Sequence, residues 1–178
     1  MPDRERLGLE HPSDLLAKLD WELDQFNEPN LQDEILSSYR AFNCAVTAWS
    51  ICDWVWNAGS PELKAALRAA SPNPRASDSE VLAALLRSEC RALAICQQLA
   101  NGAKHFRKDR HNDPNVASHR LPGVSLYISK DGAESRVVPD IGVFIQDGET
   151  TYSDIGLFSR ARDYWQEFFK RFGIDQPH

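Results

Sequence analysis

Residues 31–57 carry more apolar surface than a helix at the edge of a small protein can use. Ile35, Tyr39, Phe42, Val46, Trp49 and Trp56 recur at three-, four- and seven-residue spacing on one stripe, which is the period of an α-helix. Cys44, Ala48, Ile51 and Val55 add a second apolar strip on the far side. A helix that is apolar on more than one face is buried on more than one face. It is either the central helix of a bundle or part of a dimer interface. Trp54 and Val55 point away from the main stripe, and this surplus makes a homodimer the expected oligomer.

The neighbouring segments supply helices to pack against it. Ser13 is the expected cap of a first helix carrying Leu15, Leu16, Leu19, Leu23 and Phe26, which Glu28-Pro29-Asn30 ends. Gly59 is expected to stop the central helix. Ser60-Pro61-Glu62 reads as a cap followed by proline at the first helical position, opening a short helix through Ala70. Ser71-Pro72-Asn73-Pro74-Arg75 is a loop. A third long helix starts at Ser77 to Ser79, carries Leu82, Leu85, Leu86, Leu93, Cys96 and Ala100 on one face, and closes at Phe106.

Beyond Phe106 the helical period stops. Residues 107–122 hold Lys108, Arg110, His111, Asp113, Pro114 and His119 with almost no apolar pattern, and read as a basic connector. Val124, Leu126 and Ile128 then alternate with polar residues as in a strand, and Asp131-Gly132 turns the chain. A second extended run from Arg136 to Gln146 contains Pro139, which is expected to mark a bulge or a change of pairing partner. Asp147-Gly148 turns into a third run from Thr150 to Ser153. Leu157, Ala161, Tyr164, Trp165, Phe168 and Phe172 form the aromatic stripe of a last helix, stopped by Gly173. The expectation is a single α+β domain. It comprises a mainly α-helical bundle over 13–106, a basic connector over 107–122, a small three-stranded antiparallel β-meander over 123–154, and a C-terminal helix over 155–173.

Composition excludes some classes of function. With 178 residues, 42% of them hydrophobic, the chain can build one sizeable core. Its net charge of -6 argues against nucleic-acid binding through the whole surface. The charged start Met1-Pro2-Asp3-Arg4-Glu5-Arg6 lacks the apolar core of a signal peptide, and no stretch is apolar enough to span a bilayer, so a cytoplasmic location and no membrane partner are expected. Cys44, Cys52, Cys90 and Cys96 fall in helical patterns without C-x-x-C spacing and read as reduced packing residues.

The best candidate site is the turn that closes the third long helix. Asn101, Lys104 and His105 bring an amide, an ammonium and an imidazole to a helix end whose carbonyls already favour cations. Short connections make neighbouring helices antiparallel, which places Asp33 and Glu34 at the same end of the bundle. Lys104, Arg107, Lys108, Arg110 and Arg120 against Asp109 and Asp113 make the stretch from Lys104 to Arg120 locally basic, a surface for a protein or RNA partner. Asp53 and Glu89 interrupt apolar stripes and are expected to point inward as paired structural carboxylates. No metal is expected. His105, His111 and His119 do not share a helical face, and the Glu-x-x-His element of helical di-metal sites does not occur. No cofactor is expected either, since the phosphate-cradling glycine loops are absent, as is the serine-hydrolase elbow.

Ala41-Phe42-Asn43-Cys44-Ala45-Val46-Thr47-Ala48-Trp49 with Asp53-Trp54, followed by Ala100-Asn101-Gly102-Ala103-Lys104-His105-Phe106, resembles a family of uncharacterised bacterial proteins carrying the same two signatures. More distantly, a helical bundle with a polar turn late in a core helix resembles the HEPN class, whose nuclease members serve in defence and toxin–antitoxin systems. Those nucleases carry an arginine a short way before a histidine. Arg107 and His111 stand closer together than that spacing. The resemblance implies a ribonuclease in which His105 is the general acid/base and Lys104 stabilises the developing phosphorane charge. The residues themselves point first to a cytosolic binding or interaction protein whose turn Asn101, Lys104 and His105 recognises a ligand or partner, and the resemblance implies a defence or stress context for it. A third reading makes that turn purely structural.

Overall fold

The structure, a computed structural model, describes residues 8–27, 34–104, 113–128 and 135–174. The side chains of 27, 34, 103–104, 123–128, 136 and 138–140 lie outside that description. Among the described residues there are six α-helices and one three-stranded antiparallel sheet. The helices are α1 (Pro12–Asp24), α2 (Glu34–Ala58), α3 (Pro61–Ala70), α4 (Asp78–Glu89), α5 (Arg91–Lys104) and α6 (Asp154–Phe172). The strands β1 (Val116–Ile128), β2 (Ser135–Asp147) and β3 (Thr150–Ser153) are ordered β1-β2-β3. This is the expected mainly helical α+β fold with its meander and C-terminal helix. No described helix is long and apolar enough to cross a membrane.

α2 is the central helix, but the strip facing the core is not the one its sequence favours. Cys44, Ala48, Ile51 and Val55 are fully buried, while Ile35, Tyr39 and Phe42 are 49%, 61% and 47% exposed. Small residues let α1, α4, α5 and α6 approach α2 closely, and the N-terminal part of the bulky stripe is left for the outside, while Trp56 at its other end is buried in the core. The same rotation explains Asp53. It shares the outer stripe with half-buried Trp49 and is exposed, not inward. Val55 is in the core and Trp54 packs against it half-buried, so neither is the surplus surface that a dimer would need.

The third long helix is two helices. Cys90 leaves helical geometry with φ -133° and ψ 101°, its N–H still donating to Leu86 O at 2.8 Å while its carbonyl accepts from Ala94 N at 3.1 Å. It closes α4 and opens α5 at once. The break shifts the phase of Leu93 and the residues after it, and Glu89, in the last turn of α4, is exposed, where its carboxylate accepts from Tyr164 Oη at 2.5 Å and Arg171 Nη2 at 2.7 Å. Desolvation raises the Glu89 pKa, but the bonds from Arg171 and Tyr164 outweigh it and hold the carboxyl below its usual range.

Helix starts follow the cap chemistry with one shift. Ser60 accepts from Leu63 N and Ser153 from Gly156 N, both at 3.2 Å. In α1 the cap is His11, not Ser13, with Pro12 at the first helical position, and the Asp14 carboxylate accepts from the N–H groups of Glu10 and His11. Gly59 follows the last residue of α2, and an added Cβ there would sit 2.9 Å from Val55 O, so the position is left to glycine. Gly173 ends α6 at φ 63°, with Ile174 N donating to Phe169 O at 2.9 Å. The Glu28-Pro29-Asn30 and Asp131-Gly132 breaks lie outside the described residues.

β1 begins at Val116, so the connector expected over 107–122 is strand for its last seven residues. Local alternation is weak there, and the pairing with β2 decides. The β1–β2 register runs unbroken from Val116↔Asp147 to Ile128↔Ser135, so Pro139 makes no bulge. Gly148 N donates to Asn115 O, whereas Val143 N turns away from β1 to the Asp154 carboxylate at 3.2 Å. Backbone groups alternate sides along a strand, so the odd residues of β2, Pro139 included, face away from β1. β3 spans only Phe144 to Asp147 of β2, which leaves Pro139 on an open edge where no ladder bond is lost. By the same alternation Pro122 faces the outer edge of β1.

α6 ties sheet to bundle. Trp165 is fully buried and its indole N–H donates to Ala48 O at 2.8 Å. Phe168 and Phe169 meet it edge-on with ring centroids 5.3 and 6.0 Å away. Trp165→Phe is expected to cost about 2 kcal/mol through a small cavity and the lost bond, about 4–8 °C in a chain of this size. An unchanged thermal midpoint by calorimetry would contradict this packing.

Candidate functional site

The groove where α2, α5 and the sheet meet is one cleft among the described residues with an apolar lining; another, of about 620 Å³, lies between the start of α1, α3 and the end of α6. The groove at the sheet is positioned by two polar clamps. Arg91, at the start of α5, donates from Nε to Asp147 Oδ2 at 2.8 Å and from Nη2 to Asp113 Oδ2 at 2.6 Å, with a further bond from Nη2 to Asp147 Oδ1. Asp113 precedes β1 and Asp147 closes β2, so one guanidinium fixes both strand ends to a helix. Asp154, buried at the N-terminus of α6, accepts from Val143 N and from Ile155 N at 2.7 Å. Its carboxylate continues the ladder where β3 stops.

Between these clamps lies a pocket of about 270 Å³, lined by Ser38, Ala41, Phe42, Leu99, Ser118, His119, Arg120, Val143 and Ile145. Residues directly opposite in an antiparallel pair share a face. Val143 and Ile145 are buried towards the helices, and their partners on β1 are Arg120 and Ser118. The helix-facing side of β1 is thus polar where that of β2 is apolar. A hydroxyl and an exposed guanidinium do not fill the space against α2, and the pocket remains open. His119 takes the opposite face of the strand.

Arg120 makes no ion pair or hydrogen bond among the described residues. Arg87, Arg162 and Arg171, by contrast, are each paired with a carboxylate, as is Arg91. From Phe42 the exposed apolar surface continues along α2 through Tyr39 and Ile35. A shallower depression runs along the outer edge of β1 from Ser118 to Pro122 and reaches Ile141.

Of the residues singled out in the sequence, Asn101 is half-buried near the end of α5, one turn or less from Leu99 in the pocket wall. Lys104 is the last residue of α5 and Glu34 the first of α2, but their side chains lie outside the described set. His105 and His111 lie outside it too. Leu99 and Ser38 lining one pocket puts the ends of α5 and α2 together, as the antiparallel argument requires. Asp53 and Glu89 belong to the surface and take no part. Phe42, Ser118 and Arg120 were missed as a group, because only the β1–β2 register brings them together.

The remaining polar groups of the interior serve packing. Lys18 bonds the buried Glu22 and donates to Thr47 Oγ1 at 2.7 Å, joining α1 to α2. The four cysteines are unbridged and buried. Burial pushes the Cys44 thiol up to about 12 and raises Cys52, Cys90 and Cys96 as well, so none offers a thiolate nucleophile at neutral pH. Among the described residues no group of three or more His, Cys, Asp or Glu could hold a metal ion.

No family model, curated protein or solved structure matches the chain. The geometry of the groove therefore carries the functional argument by itself.

Asp113 and Asp147 are both held below the usual carboxylate range, in each case chiefly by the hydrogen bond from Arg91. Carboxyls lowered on folding contribute stability above their unfolded pKa near 4, and that contribution is lost as pH falls through the folded value. Arg91→Gln removes it. The acid-unfolding midpoint of this variant is expected at higher pH than that of the wild type, as read by circular dichroism; coincident midpoints would show that Arg91 does not clamp the strand ends.

Proposed function

We propose that this protein is a cytosolic binding module that receives an apolar side chain, with a neighbouring anionic group, from a protein partner in the groove between α2, α5 and β1. The observation that carries this reading is Arg120: a guanidinium on the helix-facing side of β1, at the rim of an apolar pocket, with no carboxylate among the described residues to neutralise it. A carboxylate arriving there gains a charge-assisted bond with bidentate geometry. The volume of about 270 Å³ suits one side chain or a small ring better than a cofactor. Asn101, half-buried near the end of α5, supplies a polar group at the same end of the bundle. Four buried free thiols suit a reducing compartment.

A second reading, self-association, is favoured by the exposure of Ile35, Tyr39 and Phe42 on one helix face. Sedimentation velocity at micromolar concentration is expected to give a dimer on that reading and a monomer if the stripe serves another partner.

Phenylacetate, an aromatic ring with a carboxylate, is a direct probe of the pocket. Its titration is expected to shift the methyl resonances of Leu99, Val143 and Ile145. Arg120→Ala is expected to weaken it about tenfold, the worth of one hydrogen bond to a charged group, and Phe42→Ala to weaken it as well. Both residues are exposed, so the fold survives their loss. Absence of pocket shifts overturns the reading. So does contaminant-free cleavage of single-stranded RNA that falls about a hundredfold in His105→Ala, which the ribonuclease alternative requires.

A further inference from the structure

Among the described residues β1 is an outermost strand of the sheet, with no strand on its outer edge, which runs along the groove. The register fixes which backbone groups lie on that edge. Gly148 N bonds Asn115 O, so the odd residues of β1 face β2, and the even residues Val116, Ser118, Arg120 and Pro122 turn their backbone outward. Val116 N is taken by Asp113 O at 3.1 Å. Ser118 and Arg120 have no backbone or side-chain partner for their outward N–H among the described residues. Pro122 has no N–H and ends the available ladder. The open edge is therefore a short strand-pairing site, bounded on one side by the Asp113 turn and on the other by proline. The side chains of Ser118 and Arg120, at the same even positions, line the pocket.

We propose that this edge receives an extended acidic peptide segment as an added strand, with an apolar residue opposite Ser118 and an Asp or Glu two positions away, opposite Arg120. The proposal rests on the binding reading given above and deepens it by naming the partner's conformation and pattern. Directly opposite residues share a face, so the two recognised side chains must both point towards the helices. That requires a spacing of two. The apolar one enters the pocket against Phe42, Leu99, Val143 and Ile145, and the carboxylate meets the guanidinium, which has no carboxylate partner among the described residues. Main-chain hydrogen bonds provide affinity and the two side chains selectivity, as in other strand-addition complexes.

Charge argues for this occupant over a second copy of the chain. The sequence of β1, Val116 to Ile128, contains His119 and Arg120 but no Asp or Glu. Pairing β1 with itself would leave each guanidinium without a carboxylate on the opposing strand and bring basic residues together. An acidic strand has no such conflict.

The test uses the full chain and capped heptapeptides of threonine carrying Leu and Glu. In the matched peptide they stand two positions apart; in the control they are adjacent and so project to opposite faces. A third peptide repeats the matched pattern with backbone N-methylation. The matched peptide is expected to bind, with amide shifts concentrated at Ser118 and Arg120, and the other two at least about tenfold more weakly, a difference of 1.4 kcal/mol or more. Arg120→Glu is expected to abolish binding of the matched peptide and to accept one with Lys in place of Glu. Equal binding of all three peptides overturns strand addition. So does failure of the matched peptide under conditions in which phenylacetate still shifts the Leu99 and Val143 methyls, which leaves the pocket reading intact. A stable dimer in which the Ser118 and Arg120 amides are protected without peptide would assign the edge to a second copy and also overturn the proposal.

Discussion

The bond from the Trp165 indole to the Ala48 carbonyl joins the two parts of this molecule. α2 offers small residues to its neighbours, and only a helix with large flat side chains can fill the space above them. α6 does so with Trp165, Phe168 and Phe169, all buried. The β-meander has three strands and too little apolar surface to stand alone. Its chain runs directly from β3 into α6, where Ser153 caps the helix and Asp154 takes the Val143 N–H. Where the indole docks thus determines where the sheet lies, and with it the width of the groove against α2. An aromatic residue far from the pocket sets the pocket's walls.

The groove itself comes from an imbalance between two paired strands. β2 meets the helices with Val143 and Ile145, and β1 meets them with Ser118 and Arg120. Had β1 carried Val or Ile at these positions, hydrophobic burial of about 1.5–3 kcal/mol for each side chain would have closed the sheet onto α2. The chain forgoes that stabilisation along one edge. Arg91 offsets the loss of packing by holding the strand ends to α5 through Asp113 and Asp147, so the open side stays in register without a filled core.

Much of the fold was legible in the sequence because it depends on local signals. The Ser60-Pro61 start of α3, the Gly173 stop and the aromatic stripe of α6 each rest on residues a few positions apart. Two features were misread for lack of long-range information. Periodicity identifies the faces of α2 but not which face the neighbours choose; close packing selected Cys44 and Ala48 over the bulkier Ile35 and Phe42. The break at Cys90 has no proline or glycine to announce it. Its consequence, that Leu93 no longer continues the face of Leu85 and Leu86, cannot be read from their spacing, and neither can the bonds of Glu89 to Tyr164 and Arg171. The candidate site divides the same way. Helix antiparallelism is enough to expect Asn101, Lys104 and Glu34 at one end of the bundle, whereas in the sequence Arg120 is one charge in a basic connector. Its meaning depends on the register that sets it beside Val143, a pairing across 23 residues of sequence.

An inward-facing charge on an edge strand has a second explanation: it guards the edge against other chains. Pro122 and Pro139 do that work here, each removing a donor from an open edge. Arg120 fits the same defence, since a neutral or basic strand laid against β1 would bury a guanidinium without a partner, at a cost of several kcal/mol. The two roles do not compete. A group that penalises every strand lacking a carboxylate at one position favours, by the same energy, the strand that has one, and selectivity is a difference of this kind. What distinguishes Arg120 from a simple guard is the face it occupies. His119 belongs to the other face of the strand, whereas Arg120 shares the helix-facing side with Val143, at the rim of the pocket that Phe42 and Leu99 also line, where a partner's neighbouring side chain can be buried.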